Sequence, residues 1–120
     1  NQLHCEGRGF SVVKDLDGHG IGRDLHEDTQ IPNYGRTGSG RKLKTGLTIC
    51  IEPMINRGSA GVRTEGDGWT VKTADSLTSA HYEHTVVVRP GEAEVLTTFR
   101  YIEEVLKELP YKHIAEVVYG

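Results

Sequence analysis

Three short segments each place a potential metal ligand in surroundings that do not suit an isolated polar side chain. His19 lies between two glycines, Glu52 interrupts the apolar run 47–55, and Glu83 precedes three consecutive valines. Burying a neutral polar group without a partner costs roughly 2–7 kcal/mol, and burying a charge costs more. A divalent cation binds imidazole and carboxylate together, so a fold that brings these segments into contact would satisfy all three side chains.

The run 47–55 has the alternation of a half-buried strand. Leu47, Ile49 and Ile51 share one face, which leaves Glu52 on the opposite face. Pro53 cannot donate a hydrogen bond to a strand ladder, so we expect a strand edge or a bulge immediately after the glutamate. A residue that precedes proline also favours extended geometry. The segment therefore predicts a strand that presents Glu52 away from one face of a sheet.

Other patterns along the chain predict an antiparallel sheet with a few helices. We expect a helix end in residues 1–9, a tight connection at 18–22 and an irregular loop over 26–40. Further strands are predicted at 10–14, 69–72, 80–88 and 93–97, and a turn at 89–92 makes the last two strands an antiparallel hairpin. Apolar residues at helical spacing from Phe99 to Leu109 predict a final helix that ends at Pro110.

Composition excludes several classes of function. The 120 residues contain 14 Lys and Arg against 17 Asp and Glu. Such a mildly acidic chain lacks the basic patch of a nucleic-acid-binding domain, so no nucleic-acid partner is expected. No stretch approaches the roughly 18 apolar residues of a membrane span, so no membrane partner is expected either. Cys5 and Cys50 are too few for a disulfide framework, which favours a cytoplasmic protein.

The sequence around the three predicted ligands resembles that of the methionine aminopeptidases, in particular their short, cytoplasmic type I class. The resemblance rests on four motifs that follow the family's order and spacing: GHGIGR with the following DLHE, IEPMIN at 51–56, GDGWTVKT at 66–73 and HYEHTVVV at 81–88. It runs from about Gly9 to about Leu106. Four motifs in this order and spacing are a specific signal, whereas each motif alone would be a weak one.

This resemblance implies an α+β fold, namely the C-terminal half of the pita-bread (creatinase/aminopeptidase) fold, with a curved antiparallel sheet and flanking helices. Residues 1–109 would form the C-terminal part of the catalytic domain, and 110–120 a tail of unknown structure. The family's dinuclear site has five protein ligands, two of them aspartates from the first half of the fold. The chain starts at Asn1, so we expect it to lack the N-terminal half and to be inactive alone.

The same resemblance assigns roles to individual residues. His19, Glu52 and Glu83 would bind two divalent ions, with Glu83 bridging both, and Glu52 would also act as general base. His26 would contact the scissile peptide and stabilise charge on its carbonyl oxygen. Trp69 and Leu25 would contact the substrate's methionine side chain, although Trp69 could instead be a core residue. Imidazole with carboxylates suits Co, Mn, Fe, Zn or Ni.

Two alternatives to an enzyme that removes methionine from nascent proteins remain open at this point. Peptidases specific for proline share the fold, but their glutamate strand usually continues with Pro-Gly, whereas Pro53 is followed by Met54 here. The long-insert methionine enzymes are disfavoured because only 25 residues separate His26 from Glu52. A non-catalytic fragment or binding module of the same fold is the second alternative, since fold alone does not establish activity.

Overall fold

The computed structural model of the chain describes residues 2–108. The predicted helix end at Pro110, the boundary between residues 109 and 110, and the tail 110–120 lie outside the described residues. Within them, the helices and strands occur in the order α1 (Gln2–Glu6), β1 (Ser11–Val12), β2 (Gly18–Gly20), β3 (Glu27–Ile31), β4 (Thr48–Ile51), β5 (Met54–Asn56), β6 (Val62–Thr64), β7 (Val71–Thr73), β8 (Ser79–His81), β9 (His84–Val87), β10 (Glu94–Val95) and α2 (Arg100–Glu108).

The described strands form three antiparallel sheets. The larger sheet has five strands in the order β10-β9-β4-β2-β3, and the smaller sheet has three in the order β1-β5-β8. Strands β6 and β7 pair with each other as a separate hairpin. The predicted hairpin of the last two strands is confirmed, because Glu94 pairs with Val87 and Val95 with Val86. Neither helix in this part of the chain has the length and apolar character needed to cross a membrane.

Two neighbouring segments of the chain, β4–β5 and β8–β9, each leave one sheet and enter the other at positions that lie opposite each other. In the larger sheet Ile51 pairs with His84, and in the smaller sheet Met54 pairs with His81. Between these pairs lie residues 52–53 on one strand and 82–83 on the other, which we call the corner. The break after Glu52 was expected from Pro53. The break in the predicted strand 80–88 was not, because the segment contains no proline or glycine that would interrupt a strand.

Two segments predicted as a tight connection and an irregular loop contain strands instead. β2 lies between β3 and β4, with Gly18 opposite Ile31 and Gly20 opposite both Glu27 and Ile49. The pairing register shifts between the two glycines. The prediction was wrong because neither segment shows a clear apolar alternation. Their pairing depends on close approach of the glycine backbone to neighbouring strands, which a hydrophobic pattern does not report.

The core lies on the β4–β9 pair of the larger sheet and, in the smaller sheet, at β1 and the residue after it. The buried apolar residues of the described chain are Val12, Val13, Ile49, Cys50, Val86 and Val87. Four of them belong to β4 and β9, the pair that leads into the corner. The core therefore fixes the strands from which the ligand residues project.

Replacing Gly18 with alanine is expected to destabilise the fold by about 1–3 kcal/mol, the usual cost of overpacking a core. A Cβ at this position would meet the backbone carbonyl oxygen of Cys50 far inside van der Waals contact. Because backbone on β4 cannot move as a side-chain tip can, the strand itself must shift. Chemical denaturation measures the change. Gly66→Ala is the control, since its Cβ would meet nothing within 4 Å, and equal stability of both variants would contradict the expectation.

Candidate metal centre

His19 is held with one ring nitrogen free for a ligand. It is the central residue of β2 and is mostly buried. Its Nδ1 lies 2.8 Å from the carbonyl oxygen of Gly20. A carbonyl oxygen only accepts, so Nδ1 carries the hydrogen and donates. This hydrogen bond leaves Nε2 as the donor atom that a metal would use, in the manner of many metal-binding histidines.

Glu52 directly follows β4, in the corner, and faces two imidazoles. Its Oε1 is 3.2 Å from Nε2 of His19, and its Oε2 is 3.3 Å from Nε2 of His81. The Glu52 and His19 side chains are each only 14% exposed. The carboxylate is therefore shielded from solvent, and each of its two oxygens faces the Nε2 atom of a different imidazole.

Glu83 joins this cluster from the other strand of the corner. The donor atoms of Glu52, His81 and Glu83 all lie within 4.8 Å of one another, and so do those of His19, Cys50 and Glu83. The expectation that Glu83 sits in dry surroundings was wrong, because the residue is exposed. It precedes β9 in the gap between the sheets, whereas Val86 and Val87 lie within β9 and are buried.

Cys50 borders the cluster as a buried thiol. It is fully buried on β4, opposite Thr85, and its Sγ lies 3.6 Å from the Thr85 hydroxyl. Burial raises the pKa of the Cys50 thiol, and the nearby Glu83 and Glu52 carboxylates raise it further. Without a bound cation, the thiol therefore favours its neutral form.

His26 lies beside His19 without entering either ligand group. The two ring centroids are 4.2 Å apart, with an angle of 52° between the ring planes. Both rings line a cavity of about 930 Å³, to which Glu52 and His81 also contribute. This volume lies at the upper end of the range usual for small-molecule sites. A molecule in the cavity could reach His26 and the carboxylate together.

Trp69 lines the same cavity from the turn between β6 and β7. The residue is 87% exposed, so the alternative that it belongs to the core is wrong. Asp67 fixes the turn, because its carboxylate accepts hydrogen bonds from the Trp69 and Thr70 amides at 2.9 and 2.8 Å. The Thr70 hydroxyl and these amides lower the pKa of Asp67. Leu25 is 68% exposed and is not among the residues that line the cavity.

The donor set fits a divalent transition metal. Two ligands that bind one ion at about 2.1 Å lie about 3.0–3.4 Å apart in octahedral or tetrahedral geometry. The 3.2 and 3.3 Å separations around Glu52 fall within that interval. An imidazole nitrogen with a free electron pair and a carboxylate oxygen repel each other unless a cation or a proton lies between them. Imidazole and carboxylate are also the ligands preferred by zinc and its first-row neighbours.

Comparison with known proteins identifies the family to which the chain is similar. Residues 2–90 match the family model of metallopeptidase family M24. The chain is 54% identical over 99 residues to the methionine aminopeptidase of Clostridium perfringens, covering 82% of this chain and 40% of that protein. It is 48% identical over 96 residues to methionine aminopeptidase 1 of Bacillus subtilis, covering 80% of this chain and 39% of the relative.

Solved structures give the same result. The crystal structure of methionine aminopeptidase from Thermotoga maritima matches with a TM-score of 0.77 and 48% identity, covering 81% of this chain and 39% of that one. The Rickettsia prowazekii enzyme matches with a TM-score of 0.78 and 45% identity, covering 81% and 40%. The predicted fold, part of the pita-bread architecture with antiparallel sheets and few helices, is confirmed.

The chain belongs to metallopeptidase family M24, because the family model matches well over half of it. The relatives named above are all methionine aminopeptidases, so the resemblance seen in the sequence is confirmed. The chain spans about two fifths of the length of the curated relatives it matches.

Two residues of the site were not singled out from the sequence. His81 precedes the predicted ligand Glu83 by two positions and is, by its local sequence, an ordinary surface residue of the predicted strand 80–88. Cys50 reads as a small apolar residue beside Glu52. A usable signal for His81 was its position two residues from Glu83, since side chains at that spacing project from the same face of an extended strand.

Proposed function

We propose that this chain is part of a metal-dependent methionine aminopeptidase, which removes the N-terminal methionine from nascent proteins in the cytoplasm. One observation carries the proposal: side chains from β2, the end of β4 and the start of β9 place their donor atoms in one cluster. Identity of about half to several methionine aminopeptidases supports the choice of substrate.

His19, Glu52 and Glu83 would hold two divalent ions (Co, Mn, Fe, Zn or Ni), with further ligands from the N-terminal half of the fold. When bound, these ions supply Lewis-acid activation of water and of the scissile carbonyl. Glu52 would act as the general base toward a water in the cavity, which its carboxylate helps to line. His26 donates a hydrogen bond to the carbonyl oxygen of the peptide as charge develops on it.

The substrate's first side chain would lie against Trp69, on the cavity wall. The Asp67 hydrogen bonds hold this turn, so the indole is presented without a large loss of conformational freedom on binding. Leu25 precedes His26 and would contact the substrate at the outer margin of the site.

A chimera tests the proposed function. The matching 99-residue segment of the Clostridium perfringens enzyme is replaced by the corresponding residues of this chain, and methionine release from a Met-Ala peptide is measured with added Co²⁺ or Mn²⁺. We expect turnover by the chimera and none by the 120-residue chain alone. Cleavage of an Xaa-Pro peptide in place of Met-Ala would support a proline-specific peptidase. A folded, metal-loaded chimera without turnover would support a non-catalytic module.

Replacing Trp69 with alanine in the chimera is expected to raise KM for the Met-Ala peptide about tenfold. Loss of the indole would forfeit roughly 1–2 kcal/mol of apolar contact with the methionine side chain. Steady-state kinetics measure the change. Tyr101→Ala is the control, since this exposed aromatic residue on α2 is not among the residues that line the cavity. An unchanged KM in the Trp69 variant would remove it from the substrate site.

A further inference from the structure

We propose that His81 is a metal ligand of this site, so that His19, Glu52, Glu83 and His81 together hold a divalent ion on this chain. The inference rests on the proposed function, to which it adds a fourth side chain. It comes from the placement of His81 at the corner, from its distances to the two carboxylates, and from the charge balance around Glu52.

The strand pairing brings His81 to the corner. It is the last residue of β8, and its Cα partner is Met54, two residues beyond Glu52. Residues at that spacing on an extended strand face the same side. The ring therefore meets Glu52 across the strand pair, while Glu83 follows it by two residues on its own strand.

The distances suit a shared ion. Nε2 of His81 lies 3.3 Å from Oε2 of Glu52, nearly the separation of 3.2 Å between His19 Nε2 and the other carboxylate oxygen. Donor atoms of His81, Glu52 and Glu83 are mutually within 4.8 Å. The His81 side chain is 52% exposed, so an ion can reach its nitrogen from solvent.

The charges favour a cation at this position. Among residues 2–108, the ion-pair partners of Glu52 are two histidines, each of which is charged only when protonated. Neutral imidazoles would leave the Glu52 and Glu83 carboxylates close together without a compensating positive charge. A divalent ion bound by both imidazoles and both carboxylates removes that repulsion.

Cobalt binding to the 120-residue chain tests the inference without a need for activity. Titration with Co²⁺, followed by calorimetry and by visible absorption, gives the affinity and the coordination environment. We expect His81→Gln to weaken binding at least about tenfold, the lower end of the effect of removing supporting groups at metal sites. We expect His81→Asp, which supplies a charged carboxylate as a ligand, to recover part of the loss with an altered absorption spectrum.

The controls separate this inference from the proposed function. His4→Gln changes a histidine of α1 whose ring nitrogen pairs with Arg8, and should bind Co²⁺ like the parent chain. His19→Ala should weaken binding strongly. Binding by His81→Gln equal to the parent, with loss in His19→Ala, would overturn the role of His81 and leave the metal centre intact. Absence of Co²⁺ binding by the parent chain, or no loss in His19→Ala, would overturn both.

Discussion

Replacing Glu52 with glutamine is expected to lower turnover of the chimera by at least about 100-fold, with little change in fold. Glutamine has the same shape, but its amide carries no charge and cannot accept a proton in the way a general base must. One of its two terminal atoms also becomes a hydrogen-bond donor, facing either His19 or His81 where a carboxylate oxygen lay at 3.2 or 3.3 Å. Both the proposed catalytic and the proposed ligand role would be lost.

The measurement is kcat on the Met-Ala peptide at saturating Co²⁺, together with metal content by mass spectrometry and thermal unfolding. Glu94→Gln is the matched control. Glu94 pairs with Arg89 at 2.8 Å on an exposed part of the larger sheet, where loss of an ion pair costs at most about 1 kcal/mol. Turnover of Glu52→Gln within a few-fold of the parent chimera would remove this residue from the mechanism.

Replacing His26 with alanine is expected to lower kcat by about 100- to 1,000-fold while the metal content stays the same. That range is typical for removing one donor to an oxyanion. The ring lies against His19 and lines the cavity, yet neither ligand group among the described residues includes it. The chemical step should therefore suffer without loss of the ions.

Parallel measurement of kcat and metal content decides the role of His26. His26→Gln, which keeps a hydrogen-bond donor, should retain more activity than the alanine variant, whereas a purely structural role predicts no such difference. Loss of metal in His26→Ala would reassign the residue as a ligand. His84→Ala provides a control in a second histidine, one whose ring contacts Tyr82, Phe99 and the Thr97 hydroxyl.

The sequence predicted the convergence of His19, Glu52 and Glu83 because each ligand stands in a local pattern that is costly without a partner. Pro53 likewise predicted the break in its own strand. The matching break at Tyr82 and Glu83 could not be predicted, because it follows from pairing with that distant strand. The assignment of all three as ligands of two ions stays a prediction, as do the roles of His26, Trp69 and Leu25.

His81 shows why part of the site could not be read from the chain. A half-exposed histidine on a strand has no local sequence pattern that marks it as a metal ligand. Its significance depends on the register that sets Met54 opposite it, and register between distant strands is fixed by tertiary packing. The strands β2 and β3 were missed for a related reason, since glycine backbones that approach other strands leave no apolar alternation.

The corner gives metal binding a mechanical consequence. Within the corner, the Tyr82 amide donates a backbone hydrogen bond to the Pro53 carbonyl oxygen on the other strand, and this bond is long, at 3.4 Å. An ion held by Glu52 on one strand and Glu83 on the other would act as a cross-link at the corner, between the two sheets. Since such an ion binds the folded chain in preference to the unfolded one, thermodynamic linkage makes the melting temperature rise with metal concentration. Removal of the ion by a chelator would then destabilise the corner before the rest of the fold.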